Sequence, residues 1–153
     1  MTAVLTPVTY QATIGVKVPG RVYVAGPMTN LPEFNFPAFD SLAAFMRKHG
    51  WEVFNPAERD RQLYDDTAAG FDVGDVQAWA ASTGFDLGNA MRFDLGTITT
   101  CSDIVMLPGW EKSSGAGKEK AVAEACGVEV LYAFPVRDTW FVSEVDIDQT
   151  GAV

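Results

Sequence analysis

The chain has 153 residues, of which 48% are hydrophobic and 20% are charged. This length is typical of one domain with a full hydrophobic core, and the apolar and aromatic content excludes an intrinsically disordered chain. The 20 Asp and Glu residues outnumber the 11 Lys and Arg residues, so the formal net charge is −9. Such a charge repels nucleic-acid polymers and anionic lipid surfaces, and we expect neither as a partner.

Several missing patterns narrow the class of protein further. No apolar run reaches the ~18 residues of a membrane span, and residues 1–20 lack the pattern of a secretory signal. Cys101 and Cys126 have the spacing of neither a metal site nor a secreted disulfide framework, and His49 is the only histidine. We therefore expect a cytoplasmic protein with reduced thiols, and we expect neither a metal nor a cofactor.

The first half of the chain has the pattern of a strand, a helix and a second strand. Residues 21–25 (RVYVA) are short and apolar and end at a Gly-Pro pair, as a buried strand would. Residues 37–50 carry apolar side chains at helical spacing, begin with a proline and end with a glycine. Residues 51–54 (WEVF) follow as a second strand, so the three elements predict a right-handed βαβ unit.

The second half repeats the alternation after an irregular segment. Residues 56–84 are rich in Asp, Arg and Gly, which predicts a long loop with one short helix near residues 76–81. The elements predicted after it are a helix over 85–100, a strand over 103–107, a helix over 118–127 and a strand over 128–134. Alternating strands and helices predict an α/β fold with a doubly wound parallel sheet.

These elements place a single domain at residues 21–134. Residues 1–20 form an N-terminal extension, and residues 135–153 form an acidic C-terminal tail. Both segments lie outside the alternating pattern, and either is available to add an edge strand or a subunit contact.

An open parallel sheet binds its ligands outside the carboxyl ends of its strands. This rule selects the loops at residues 26–30, 55–58 and 108–117. The last of these is the richest, because its glycines allow close approach of the backbone and its serines add hydroxyl donors at a helix N-terminus, where anions bind. The spacing of its glycines and lysine excludes a Walker-type phosphate loop.

Acidic and aromatic residues near these loops allow both structural and functional interpretations. Glu119 would follow in the first helical turn, where a glutamate commonly only complements the helix dipole. Asp94, taken by itself, would be a solvated carboxylate or a partner of Arg92. The acidic loop residues lack calcium-site spacing, and the aromatic residues suit a core better than base stacking. These residues are Asp65, Asp66, Asp72 and Asp75, and Phe34, Phe36, Trp79 and Trp110.

Five segments between residues 21 and 134 carry a family resemblance. They are VYVAGPMTNLPEFNFPAF, WEVFNPAE, RFDL, CSDIVMLPGWEKSSGAGKE and ACGVEV, and LPGWEKSSGAGKE is the most specific part. Together they resemble the nucleoside 2-deoxyribosyltransferase-like proteins, in particular a branch of small phage and bacterial proteins related to 2′-deoxynucleoside 5′-monophosphate N-glycosidases. The resemblance implies a flavodoxin-like fold.

The resemblance also implies cleavage of the N-glycosidic bond of a (deoxy)nucleoside or its 5′-monophosphate, without a cofactor. Glu119 matches the family's nucleophile, which attacks C1′ of the sugar and forms a glycosyl-enzyme intermediate. Asp94 matches the aspartate that hydrogen-bonds or protonates the leaving base, and Tyr23 matches a tyrosine that orients the nucleophile. We expect the helix N-terminus to keep Glu119 ionised, and burial to raise the pKa of Asp94.

The residue at position 113 bears on the substrate. Transferases of free nucleosides have an aspartate there, whereas relatives that hydrolyse 5′-monophosphates have a serine, as this chain does. The resemblance therefore favours a phosphorylated substrate and hydrolysis. Pro27 replaces a phosphate-binding serine of those relatives, and Thr29 is the candidate substitute. The expected substrate-binding residues are Gly26, Pro27, Met28, Thr29, Asn35, Gly109, Trp110, Ser113, Ser114, Gly115 and Gly117.

Three other functions stay open: base exchange by a nucleoside 2-deoxyribosyltransferase, cleavage of NAD by the same glutamate chemistry, and nucleotide binding without catalysis. The base is undetermined, because its choice depends on Asn35, residues 56–84 and a neighbouring subunit. Family members complete the active site with such a subunit, so we expect a homo-oligomer. The apolar run Trp140-Phe141-Val142 is a candidate for the contact.

Overall fold

The computed structural model describes residues 18–64 and 72–147. The strands are β1 (Arg21–Ala25), β2 (Glu52–Phe54), β3 (Asp103–Met106), β4 (Glu129–Val136) and β5 (Thr139–Ser143). The helices are α1 (Phe36–Lys48), α2 (Pro56–Leu63), α3 (Val76–Thr83), α4 (Leu87–Ile98) and α5 (Ser114–Ala125), with short 3₁₀ turns at Pro32–Asn35 and Trp110–Lys112. In these parts of the chain no helix is both long and apolar enough to cross a membrane.

The five strands form one sheet in the order β2-β1-β3-β4-β5. β1 pairs in parallel with β2 and β3, and β3 pairs in parallel with β4. This order is that of flavodoxin-like sheets, so the expected α/β single domain is confirmed. The departure from an all-parallel sheet is β5, which pairs antiparallel with β4 at the edge.

Each face of the sheet buries its own hydrophobic cluster. On one face Val22 and Val24 of β1 pack against α1, and on the other Tyr23 and Ala25 pack against α4 and α5. Successive side chains of a strand point to opposite faces, and a sheet covered on both faces is apolar throughout. The alternation therefore directs Tyr23 towards α5, the helix that carries Glu119.

The structure contains a helix, α2, where the sequence analysis predicted a loop. The side-chain oxygen of Asn55 accepts a hydrogen bond from the amide of Ala57 at 2.9 Å, and Pro56 occupies the first helical position. Both are known signals of a helix start. Most residues of α2 are polar or charged, so no apolar stripe marks it as a helix.

The other predicted elements are present, with shifted ends. The short helix expected near residues 76–81 is confirmed as α3, and the side chain of Asp75 caps it by accepting a hydrogen bond from the amide of Ala78 at 3.0 Å. α5 begins at Ser114, four residues before the predicted start. Of the other loop aspartates, Asp65 and Asp66 lie outside the described residues.

The acidic tail completes the fold with β5. Trp140 and Val142 are only 8% and 2% exposed, and Trp140 Nε1 donates a hydrogen bond to Ser41 Oγ of α1 at 3.0 Å. These two side chains therefore pack inside this chain instead of at a subunit contact. The homo-oligomer stays a prediction.

Replacing Trp140 by Ala should lower the free energy of unfolding by about 3–5 kcal/mol, because it leaves a cavity between β5 and α1 and removes the hydrogen bond to Ser41. Urea denaturation followed by far-UV circular dichroism measures this loss. Val145 is 48% exposed, so V145A is the control and should change stability by less than about 0.5 kcal/mol. If W140A lowered the free energy of unfolding by less than about 1 kcal/mol, the conclusion that β5 packs as part of the folded domain would be contradicted.

Candidate active site

A cavity of about 390 Å³ opens at the carboxyl ends of the strands. In open α/β sheets ligands bind at this edge. Tyr23, Asp94 and Glu119, the three residues expected to be catalytic, all line the cavity. Seven of the expected substrate-binding residues line it too, namely Gly26, Pro27, Met28, Thr29, Ser113, Ser114 and Gly115.

Four expected substrate-binding residues do not line this cavity. The side-chain amide of Asn35 donates a hydrogen bond to the carbonyl of Pro27 at 3.0 Å, so it supports the loop after β1. Gly109 and Trp110 lie beside a separate cavity of about 10 Å³. Gly117 faces open space, because an added Cβ would meet nothing within 4 Å.

The centre of the site is a buried hydrogen bond that the Tyr23 hydroxyl donates to Glu119 Oε2. The Tyr23 ring is fully buried and stacks on Phe54, with 5.5 Å between ring centroids. Because α5 begins at Ser114, Glu119 lies in the second turn, where its side chain is only 7% exposed. The interpretation of Glu119 as a first-turn residue that complements the helix dipole is therefore wrong.

Burial raises the pKa of Glu119 to about 8. The hydrogen bond from Tyr23 lowers this pKa, while the nearby charges of Asp94 and Asp60 raise it. The expectation that the helix N-terminus keeps Glu119 ionised is thus wrong for this site. The dipole acts mainly within the first turn, whereas removal of water from a carboxylate is costly at any depth of the helix.

Asp94 is buried as well, at 8% exposure. It shares the inner face of α4 with Ala90 and Ile98, at intervals of four residues. Burial raises the pKa of Asp94 to about 6, while the charge of Arg59 and the Tyr23 hydroxyl lower it. The direction expected for this pKa is confirmed. The interpretation of Asp94 as a solvated carboxylate is wrong, since the helix turns it inwards, and Arg92 instead donates a hydrogen bond to Asn89.

A third carboxyl group in the cavity, Asp60, was not anticipated from the sequence. It lies on α2 and is 6% exposed. Burial and the neighbouring Asp94 raise its pKa to about 7, and the positive charges of Arg59 and Arg61 lower it. Asp60 was not predicted as a site residue because α2 was not predicted as a helix. The helix-start signal Asn55-Pro56 is the sequence feature that would have located both α2 and Asp60.

One end of the cavity is suited to an anion. Ser113 Oγ caps α5 by accepting a hydrogen bond from the amide of Ala116 at 3.1 Å, which leaves its hydroxyl proton free to donate. The amides of the first helical turn have no intrahelical acceptor and point outwards along the axis. The exposed side chains of Lys112 and Lys118 line the same end.

The loop after β1 is held in place by two close contacts. A Cβ on Gly26 would lie 2.7 Å from the Cβ of Leu107, so the strand end packs tightly there. Asn30 donates its amide hydrogen to the carbonyl of Gly74 at 2.8 Å. Gly74 has a φ of +71°, and an added Cβ would lie 2.4 Å from the carbonyl oxygen of Leu31, so only glycine fits.

Three of the four aromatic residues considered for base stacking belong to the core. Phe34, Phe36 and Trp79 are each 2% exposed, and the Phe34 and Trp79 ring centroids lie 5.0 Å apart. The core interpretation is confirmed for them. Trp110 is partly buried and packs against Tyr132 outside the main cavity.

Fold and site together define a flavodoxin-like α/β domain with a carboxyl-lined cavity at the carboxyl edge of its sheet. Within that class, the chain belongs to the family described as a domain of unknown function, DUF4406, whose model matches residues 20–132. The match spans every element from β1 to the first half of β4. Neither the curated proteins nor the solved structures compared with the chain include a match. Across residues 18–64 and 72–147, no group of three or more His, Cys, Asp or Glu residues could hold a metal ion.

The buried carboxyl groups make stability depend on pH. The pKa values of Asp60, Asp94 and Glu119 in the folded chain, about 7, 6 and 8, lie above the value of about 4 in an unfolded chain. The folded state therefore binds more protons between these values, and the stability linked to these groups decreases as the pH rises from about 4 towards 8. E119Q should raise the free energy of unfolding at pH 8 by roughly 1–3 kcal/mol, and the gain should vanish near pH 4.

Urea denaturation at a series of pH values measures this difference. The control is E58Q, since the hydrogen bond from Arg47 lowers the pKa of Glu58 and reverses the sign of the effect. E58Q should lose stability at neutral pH relative to acidic pH, by less than about 1 kcal/mol for such a partly exposed pair. If E119Q differed from the wild type by the same amount at every pH, the raised pKa of Glu119 would be contradicted.

Proposed function

We propose that this protein hydrolyses the N-glycosidic bond of a (deoxy)nucleoside 5′-monophosphate through a glycosyl-enzyme intermediate on Glu119. The observation that carries the proposal is the meeting of Tyr23, Asp94 and Glu119 in one cavity that has an anion-binding end. The resemblance to nucleoside 2-deoxyribosyltransferase-like proteins assigns the orienting, acid and nucleophile roles to these same three residues. Perturbed carboxyl groups in a cleft are typical of catalytic sites, which supports the assignment.

The anion-binding end supports a phosphorylated substrate. The Ser113 hydroxyl and the amides of the first turn of α5 would donate hydrogen bonds to a phosphate. Lys112 and Lys118 would add positive charge beside it, in a chain whose formal net charge is −9. With the phosphate at this end, the sugar lies next to Glu119 and the base extends towards Asp94.

The reaction has two steps. First an ionised oxygen of Glu119 attacks C1′ while the C1′–N bond breaks, and Asp94 gives its proton to the departing base. Then the Asp94 carboxylate takes a proton from a water molecule, whose oxygen attacks C1′. This second step releases the sugar 5-phosphate and restores the Glu119 carboxylate. The hydrogen bond from Tyr23 holds Glu119 in place and favours its ionised form.

The reactive form requires charge on Glu119 and a proton on Asp94. Burial raises the pKa of both carboxyl groups, which favours the proton on Asp94 and opposes the charge on Glu119. The oxocarbenium-like transition state carries positive charge at C1′, which stabilises the ionised Glu119 at the moment of reaction. The cavity therefore interacts more strongly with the transition state than with the substrate.

E119Q should lower turnover of a cleaved monophosphate by about 10⁴-fold or more, because it removes the nucleophile and keeps the shape of the side chain. Nucleotide binding, measured by calorimetry, should change little. D94N should slow cleavage by about 10²–10⁴-fold for natural bases, and much less for a nitrophenyl leaving group that needs no proton. E58Q, on the outer side of α2, is the control for both variants.

The assay is chromatography of bases released from deoxynucleotides, ribonucleotides, nucleosides with a second base, and NAD. Base release from monophosphates supports the proposal. Base exchange with nucleosides, release of nicotinamide, or binding without release would each contradict it and favour one of the three alternatives. Turnover by E119Q close to the wild-type rate would contradict the assigned nucleophile.

S113D should lower kcat/KM for monophosphates by about 10²-fold or more and leave that for the matching nucleosides nearly unchanged. Aspartate caps a helix as well as serine does, so α5 should stay intact. The new carboxylate repels a phosphate dianion at close range in a partly desolvated site. Steady-state kinetics with a monophosphate and its nucleoside measure the difference, and S113T serves as the control that keeps the hydroxyl. Equal losses for both substrates would place the phosphate elsewhere.

A further inference from the structure

The cavity has two chemically different ends. At the start of α5 it is lined by serine hydroxyls, backbone amides and two lysines. Between α2 and α4 it is lined by apolar side chains, among them Pro56 and Phe85, and by the carboxyl groups of Asp60 and Asp94. A nucleotide has the same division, with a charged phosphate at one end and a flat, largely apolar base with a polar edge at the other.

Asp60 is the carboxyl group that the proposed reaction leaves unused. It lies one helical turn after Pro56 on α2, and both residues line the cavity, so this face of the helix is turned towards the ligand. Asp60 is 6% exposed, and no described residue donates a hydrogen bond to its carboxyl group. A buried carboxyl group without such a donor is costly, and a ligand that supplies N–H groups would relieve the cost.

The charged groups around Asp60 do not supply that donor. The Arg59 guanidinium lies over the Phe93 ring, 3.6 Å from its centroid, and the Arg61 guanidinium pairs with Asp40 at 2.8 Å. Asp94, the carboxyl group that acts most directly on Asp60, has the same sign of charge. Within residues 18–64 and 72–147, the capacity of Asp60 to accept hydrogen bonds is therefore left for the occupant of the cavity.

We propose that Asp60 selects the base, by accepting a hydrogen bond from an exocyclic amino group. The cavity then prefers monophosphates of cytosine, adenine or guanine over those of uracil, thymine or hypoxanthine. Asp and Glu accept hydrogen bonds from the N4 amino group of cytosine, whereas uracil presents a carbonyl oxygen there, which would face the carboxylate as a second acceptor. This inference rests on the proposed function, because that function sets the direction of the base.

The test compares matched pairs of bases that differ at one position, dCMP with dUMP and dAMP with dIMP. For the wild type, kcat/KM should be about 10–100-fold higher for the amino base of each pair, in line with one good base contact. D60N offers a donor as well as an acceptor, and it should reduce the preference to below about 3-fold, mainly through loss on the amino base. D60A, which removes the polar group, should abolish the preference too.

E58Q is the matched control, since it changes a carboxylate of the same helix that pairs with Arg47 outside the cavity. It should keep the wild-type preference. Thermal unfolding of D60N and D60A checks that both variants are folded. Removal of a buried carboxylate that has no donor among the described residues should not lower their stability at pH 8.

The outcomes separate this inference from the function on which it rests. If monophosphates are cleaved but both bases of a pair react equally, or if D60N keeps the preference, the role of Asp60 is overturned and the proposed function stands. If no monophosphate is cleaved, the proposed function is overturned. Calorimetry with dCMP and dUMP then decides on Asp60: tighter binding of dCMP that D60N removes supports it, and equal or undetectable binding overturns it.

Discussion

The buried hydrogen bond from Tyr23 to Glu119 joins the middle of the sheet to α5, and the geometry of the site depends on it. Tyr23 belongs to β1, which has a parallel partner on each side and is therefore held along its whole length. Stacking on Phe54 fixes the ring, so the hydroxyl has a defined position. A carboxylate removed from water needs such a donor, both to limit the cost of its charge and to fix the direction of its oxygens.

The same burial destabilises the ionised forms of three neighbouring carboxyl groups. Asp60, Asp94 and Glu119 share one cavity, and the loss of water raises the pKa of each. Elsewhere on the described surface, carboxylates such as Glu58 and Asp40 have arginine partners. Buried polar groups that destabilise the folded state are concentrated at functional sites, because natural proteins tolerate destabilising features mainly where function requires them.

Topology explains why the cavity has two unlike ends. β1 and β3 are neighbours in the sheet, but the helices that follow them, α1 and α5, cover opposite faces. The two connections therefore diverge and leave a crevice at the carboxyl ends of these strands. The N-terminus of α5 contributes amides and hydroxyls on one side. On the other side, α2 and α4 contribute an apolar wall with carboxyl groups. This difference between the two ends of the cavity sets the direction in which a ligand lies across the sheet edge.

Local patterns in the sequence predicted much of the fold. β1 begins and ends where its apolar run does, and the core of β3 was located in the same way. These features depend on neighbouring residues, since strand patterns, breakers and caps act within a few positions of the chain. The sequence analysis did not predict the polar helix α2, because its residues form no apolar stripe. Its helical structure depends on tertiary packing.

By itself the sequence determined the α/β alternation, the strand ends that carry the site, and the residues that resemble a nucleophile and an acid. Only the tertiary structure decided that burial raises the pKa of Glu119, that Asp94 faces inwards, and that Asp60 joins them. The reason is physical. Hydration and the charges that shift a pKa depend on distances in space between residues far apart in the chain, and no local pattern contains those distances.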